Sequence, residues 1–166
     1  PLVRNNRLVD NANNGMIVRG GTLTTEVVWD DTDIVHVVFN GINITDLHTF
    51  GGIRLESSPT ESLVVKFSGQ TAGITATGRP LEIDDRIGGM LHILGQPGFP
   101  VVLTSFSDDS AGAGFTPNGF PQNDTNGGSN ETGTNVLAAN PTRMPSTSAA
   151  IAMTPDGKCP NASRSD

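Results

Sequence analysis

Two adjacent aspartates and an arginine, Asp84, Asp85 and Arg86, are the residues best suited to catalysis in this sequence. Clustered carboxylates act as general acid and base in glycoside hydrolases, and polysaccharide lyases combine carboxylate-bound calcium with an arginine or lysine base. Because adjacent residues of a strand point to opposite faces, the two aspartates share a site only at a corner of the chain. The same residues also suit a charged corner, in which an aspartate caps backbone N–H groups and Arg86 pairs with it.

A second acidic cluster consists of Asp30, Asp31 and Asp33, with the hydroxyl of Thr32 between them. Calcium takes about six to eight oxygen ligands in loose geometry, so these carboxylates predict a calcium site. The alternative is a solvated acidic turn, because the glycine and the distal acidic residue of an EF-hand loop are missing. Residues 123–128 also begin like a calcium loop, but the later spacing fails and favours a flexible polar linker.

The only tryptophan, Trp29, directly precedes the second acidic cluster. An aromatic face beside carboxylates can stack on a sugar ring while the acids bind its hydroxyl groups, so Trp29 is a candidate glycan-binding residue. Its place at the end of an apolar strand equally suits a buried core residue. His36 alternates with Val35 and Val37 and is therefore predicted to lie on the outer face of a strand. The spacing of His36, His48 and His92 does not indicate a shared metal site.

The elements that position these residues are strands. Asn, Gly and Pro separate apolar segments that are rich in β-branched residues, and they supply the corner conformations that tight turns need. The longest of these predicted strands are residues 22–29, 34–39, 63–67 and 101–106. No stretch combines a helical apolar period with helix caps, so the predicted fold class is all-β.

A glycine followed by a short apolar burst recurs along the chain, at Gly15, Gly52, Gly73 and Gly89. The intervals between these glycines are 37, 21 and 16 residues. Two intervals lie near the roughly twenty-residue turn of a solenoid, and the first has room for two turns. We therefore predict a parallel β-helix over residues 1–107, with a β-sandwich as the alternative.

Charge and composition exclude several classes of partner. The formal net charge is −7 and the basic residues form no cluster, so a nucleic-acid partner is excluded. No run approaches the roughly eighteen apolar residues of a membrane span, so no transmembrane segment is predicted. The single cysteine, Cys159, excludes a disulfide framework and a thiolate metal site.

The composition changes at about residue 108, where Gly, Asn, Thr and Asp become dominant. Residues 108–135 are predicted to be a linker, because they cannot bury enough apolar surface to order themselves unless another part of the chain holds them. Residues 136–166 have few apolar residues, interleaved with Pro and Ser and without a period. This last segment is predicted to be a disordered tail.

Residues 1–126 resemble a segment of very large secreted or surface-attached bacterial proteins with right-handed parallel β-helix repeats, a group with planctomycete and cyanobacterial members. The resemblance lies in the successive motifs LVVKF, GRPLEIDDRIGG and GQPGFPVVLTS, together with the Asp/Asn/Gly-rich stretch that follows them. It implies a right-handed parallel β-helix and an extracellular or cell-surface location. The implied partners are the remainder of a parent polypeptide and glycans or other cell-surface components. No activity is implied, since β-helices occur in lyases, hydrolases, adhesins and passive stalks.

The sequence thus predicts a structural or adhesive segment, in which stacked turns give length and repeated weak contacts give adhesion by avidity. The alternative function is a polysaccharide lyase or glycoside hydrolase that uses Asp84, Asp85 and Arg86. No cofactor is predicted other than calcium at Asp30, Asp31 and Asp33.

Overall fold

The structure, a computed structural model, describes residues 3–45, 51–76 and 89–128 and the backbone of three strands at 136–138, 142–143 and 149–152. These residues form strands joined by turns and bends, and none of them is helical. The predicted all-β class is therefore confirmed. Within the same residues, no helix exists that is long and apolar enough to cross a bilayer.

The strands are short, with two to five residues each, and they belong to three sheets. In chain order they are β1 (Met16–Val18), β2 (Gly21–Leu23), β3 (Glu26–Trp29), β4 (His36–Val38), β5 (Gly41–Ile44), β6 (Gly52–Glu56), β7 (Leu63–Phe67), β8 (Gly73–Ala76), β9 (Met90–Leu94), β10 (Val101–Ser105), β11 (Val136–Ala138), β12 (Thr142–Arg143) and β13 (Ala149–Ala152). The first sheet has the order β1-β4-β7-β10-β11, the second β2-β5-β8-β13 and the third β3-β6-β9-β12.

The chain visits the three sheets in a constant order from β1 to β10, and every strand pair among these ten strands is parallel. Met16 pairs with His36, His36 with Val65 and Val65 with Leu103, so successive turns are 20, 29 and 38 residues long. This topology is consistent with the predicted β-helix. It differs from the alternative β-sandwich, which packs two antiparallel sheets.

The core lies between the three sheets and consists of aliphatic side chains stacked on one another from turn to turn. Examples are Val38 on Phe67, Ile42 on Ile74 and Leu55 on Ile93, all of them 6% exposed or less. Full burial of such a side chain stabilises the fold by about 1.5–3 kcal/mol. The core therefore fixes which residues of each strand point inward, and the alternate residues form the outer faces.

One end of the three sheets is covered by strands that run in the opposite direction. Strands β11, β12 and β13 pair antiparallel with β10, β9 and β8. These strands lie within residues 136–166, and the structure differs there from the predicted disordered tail. A strand that pairs with an open sheet edge gains backbone hydrogen bonds whatever its side chains are, so a weak apolar pattern did not reveal it.

Candidate functional site

Residues 106–128, which we call the covering segment, lie on the outer face of the first sheet. Phe106, Ala111 and Ala113 pack against a second apolar cluster on that face. The cluster consists of Val35, Val37, Val64 and Val102. Strands β4, β7 and β10 of the first sheet are therefore buried on both faces, and this part of the predicted linker is packed against the strands.

Hydrogen bonds tie the covering segment to the turn that precedes β1. The backbone N–H of Asn14 donates to the carbonyl of Thr125 at 2.8 Å, and its side-chain amide donates to the carbonyl of Asp124 at 3.2 Å. Asn14 is 5% exposed and Thr125 is fully buried. The polar composition that predicted a linker thus supplies the groups that hold this segment in place.

A buried lysine lies beneath the covering segment. Lys66, in the middle of β7, is fully buried, and its Nζ donates to the carbonyls of Asp108 at 2.6 Å and Asn123 at 3.1 Å. Burial lowers the pKa of Lys66 to about 8, because the ammonium loses its hydration, although the carboxylates of Asp109, Asp108 and Asp124 oppose this shift. Lys66 therefore joins the two ends of the covering segment to the sheet.

The covering segment also makes a close backbone contact at Gly114. Gly114 has a φ of +74°, and a Cβ at this position would lie 2.1 Å from the carbonyl oxygen of Asp33. Only glycine satisfies both requirements, because other residues rarely adopt this conformation and their Cβ would collide. The segment is therefore pressed directly against the acidic turn that contains Asp33.

Substitution of Gly114 is expected to loosen this contact. Gly114→Ala should lower the free energy of unfolding by about 2 kcal/mol more than Gly119→Ala, because steric overlap adds to backbone strain. Gly119 is the matched control, since it has a φ of +82° but no atom within 4 Å of an added Cβ. Urea denaturation of both variants measures the difference. Equal effects of the two substitutions would show that the contact with Asp33 is unimportant.

A groove runs between the covering segment and the acidic turn. It consists of two cavities of about 280 and 160 Å³, which share Thr32 and Glu61 in their walls. The larger cavity is lined by Phe99, Phe115 and Pro121, and the smaller one by Arg4, Asn5 and Asp33. The larger cavity also has polar walls, with Thr60, Ser62 and Asn123, whereas the smaller one is lined by charged and polar side chains alone.

Local hydrogen bonds position the carboxylates of the groove. The Thr32 hydroxyl donates to Oε2 of Glu61 at 2.7 Å, and the Glu61 backbone N–H donates to the hydroxyl of Ser58 at 2.8 Å. Oδ2 of Asp33 accepts the backbone N–H of Asn5 at 2.5 Å. Side chains held this way lose little conformational freedom when a ligand binds.

The predicted calcium ligands do not form a cluster of their own. Asp30 is exposed, whereas Asp31 is 9% exposed and its Oδ1 accepts the backbone N–H of Val3 at 3.4 Å. Asp33 lies in the groove wall. In the part of the chain that the structure describes, no three acidic, histidine or cysteine side chains are arranged to hold a metal ion. The calcium site remains a prediction.

Trp29 and His36 form a stacked aromatic pair. Their rings are 5.0 Å apart and inclined by 18°, and Trp29 packs against the core. His36 is fully buried in the interior, so the prediction that it lies on the outer face is wrong. Burial lowers the pKa of His36 to about 4, against the opposing attraction of Asp31. A role of half-buried Trp29 in glycan binding remains a prediction.

The predicted catalytic residues Asp84, Asp85 and Arg86 lie outside the described residues, as do His48 and Cys159. Three further residues were not indicated by the sequence, namely Lys66 beneath the covering segment and Glu61 and Phe115 in the wall of the groove. A lysine inside the apolar motif LVVKF was the one available signal, since a charge within a buried strand needs a partner. No sequence signal indicated Glu61 or Phe115, because these two residues approach each other only in the folded chain.

No protein-family model, no curated protein and no solved structure matches this chain.

Proposed function

We propose that the chain is a right-handed parallel β-helix that serves as a structural or adhesive segment of a large extracellular or surface-attached bacterial protein. Support for this fold comes from the constant order in which the chain visits three parallel sheets. The right-handed coiling is inferred from a general rule, because crossover connections between parallel strands are almost always right-handed. Stacked turns of this kind form stiff, extended supports.

The open end of the three sheets is the observation that carries this proposal. Strands β1, β2 and β3 are each the last strand of their sheet, and among the described residues they pair on one side only. An unpaired edge presents N–H and C=O groups that a further strand can bind. The open end therefore suits the addition of another turn.

The interior side chains of this first turn are incompletely covered. Val18, Leu23 and Trp29 are only partly buried, although each packs against the core. Their stacking partners one turn further, Val38, Ile44 and Leu55, are fully buried. A further turn at the open end would cover these side chains and add apolar burial to the backbone hydrogen bonds.

Sedimentation velocity tests this proposal on the chain itself. Two copies are expected to pair through their open ends in the micromolar to millimolar range, because each open end would then cover the other. Leu23→Lys should abolish the dimer by placing a charge at the apolar end, while the lysine stem still covers the core.

Thr22→Lys is the matched control, because Thr22 lies on the same strand but is exposed on the outer face. This variant should dimerise like the unmodified chain. A chain that stays monomeric at millimolar concentration, or a dimer that Leu23→Lys leaves intact, would overturn the stacking proposal.

The alternative function, a polysaccharide lyase or glycoside hydrolase, rests on Asp84, Asp85 and Arg86. These residues lie outside the described part of the chain. The alternative therefore stays a prediction, and the open end favours the structural role.

A further inference from the structure

We propose that the groove between the covering segment and the acidic turn binds a neutral saccharide. This inference deepens the adhesive role proposed above and rests on it. It assigns a ligand class to Glu61, Phe115 and their neighbours.

The groove offers space for a short saccharide. Its two cavities, of about 280 and 160 Å³, are adjacent, since Thr32 and Glu61 lie in the walls of both. Ligand sites are usually concave and mostly apolar, with a few fixed polar groups. Polar and apolar groups lie together in the wall of the larger cavity, so a ligand with an apolar face and a polar rim can contact both.

Sugar hydroxyl groups match the polar lining of the groove. The carboxylate of Glu61 accepts hydrogen bonds, the hydroxyls of Thr60 and Ser62 donate and accept them, and the amide of Asn123 does the same. Glu61 is exposed to solvent and is already oriented by Thr32. Hydrogen bonds to a charged acceptor are stronger than neutral ones, which makes Glu61 the principal polar contact.

The apolar part of the groove offers an aromatic surface for the C–H face of a sugar ring. Phe115 is 44% exposed and lies in the groove wall with Phe99 and Pro121. The guanidinium of Arg7 lies 5.2 Å from the centre of the Phe115 ring and helps to fix its orientation. An exposed but fixed aromatic ring costs little conformational entropy when it stacks on a ligand.

The charge of the groove selects against acidic saccharides. Two carboxylates, Asp33 and Glu61, face one guanidinium, Arg4, in the charged part. The whole chain carries a net charge of −7. A uronate or a sulfated sugar would be repelled by both, whereas a neutral sugar is not.

Titration calorimetry with the full chain tests this inference. The neutral probes are cellotetraose, mannotetraose and chitotetraose, and the acidic probe is tetragalacturonate. At least one neutral probe is expected to bind. Phe115→Ala should weaken that binding by about tenfold through loss of stacking, and Glu61→Gln by about fivefold.

Two control variants should leave the affinity unchanged. Phe120→Ala removes a ring that is 69% exposed and outside the groove, and Glu26→Gln neutralises an exposed carboxylate on β3. Glu61→Gln keeps the size of a surface side chain, so it remains informative if Phe115→Ala reduces stability. The inference is wrong if no neutral probe binds, if tetragalacturonate binds more tightly, or if both groove variants bind like the unmodified chain.

Sedimentation of the same samples separates this inference from the stacking proposal. A chain that dimerises through its open end but binds no tetrasaccharide would overturn only the saccharide site. A chain that binds a tetrasaccharide but stays monomeric would overturn only the stacking of turns.

Discussion

Lys66→Met is expected to release the covering segment and to lower the free energy of unfolding by about 3 kcal/mol. The Nζ group of Lys66 bridges two backbone carbonyls, those of Asp108 and Asn123. Methionine fills a similar volume but donates no hydrogen bond. The two buried carbonyls would therefore lose their hydrogen-bond donor, and a buried carbonyl without a donor is costly.

Urea denaturation measures the change in stability, and hydrogen exchange of residues 106–128 reports the release of the covering segment. Thr75→Met is the matched control, because Thr75 is an exposed strand residue on β8 and its substitution should have little effect. A loss of stability equal to that of the control, with unchanged exchange in the covering segment, would contradict this role of Lys66.

The pH dependence of stability provides a second readout of the same lysine. Because its folded-state pKa is lowered from 10.5 to about 8, the folded chain binds fewer protons than the unfolded chain between these values. The unfavourable charge is present below pH 8, so stability should rise as the pH increases from 8 to 10.5. Lys66→Met should lack this rise, since it has no group that titrates there.

The positions of the strands were largely predictable from sequence, whereas the side chains that point into the core were not. The predicted strands at 34–39, 63–67 and 101–106 contain β4, β7 and β10, because β-branched residues between Gly, Asn and Pro leave few other conformations. These three strands are buried on both faces by the core and the covering segment. A strand buried on both sides loses the alternation that identifies its inner face, and this explains the error at His36.

The covering segment and the groove could not be predicted for a related reason. The segment has too few apolar residues to order itself, and its order depends on distant groups, namely Lys66, Asn14 and the backbone of Asp33. The groove exists only because this segment lies beside the acidic turn. Contacts between residues 33 and 114, or 66 and 123, leave no periodic pattern in the sequence.

The number of residues in each turn of the predicted β-helix could not be determined from the sequence either. The recurring glycine bursts became β1, β6, β8 and β9, which belong to all three sheets instead of occupying one position per turn. Only residues 24–25 separate β2 from β3 in the sequence, whereas residues 45–51 separate β5 from β6 and residues 77–89 separate β8 from β9. Insertions at corners are tolerated because loop closure becomes only slowly less favourable with length, and they obscure a repeat.

Acidification is expected to destabilise the chain through His36. Its folded-state pKa is lowered from 6.5 to about 4, because the imidazole is buried in the interior and stacked on Trp29. Neutral His36 therefore contributes its full stabilisation above pH 6.5, and this contribution is lost as the pH falls through 4. The free energy of unfolding should decrease by about 3 kcal/mol over this interval from His36 alone.

Urea denaturation at a series of pH values, followed by the fluorescence of Trp29, measures this decrease. His36→Phe keeps an aromatic ring against Trp29 but does not titrate. The free energy of unfolding of this variant should therefore decrease much less on acidification, and the decrease that remains comes from the carboxylates. His92→Gln is the matched control, because it removes a histidine that lies half-buried on the outer face of β9 and outside the core. If His36→Phe and the unmodified chain lose stability in parallel between pH 6.5 and 4, then protonation of the buried imidazole does not drive the acid sensitivity.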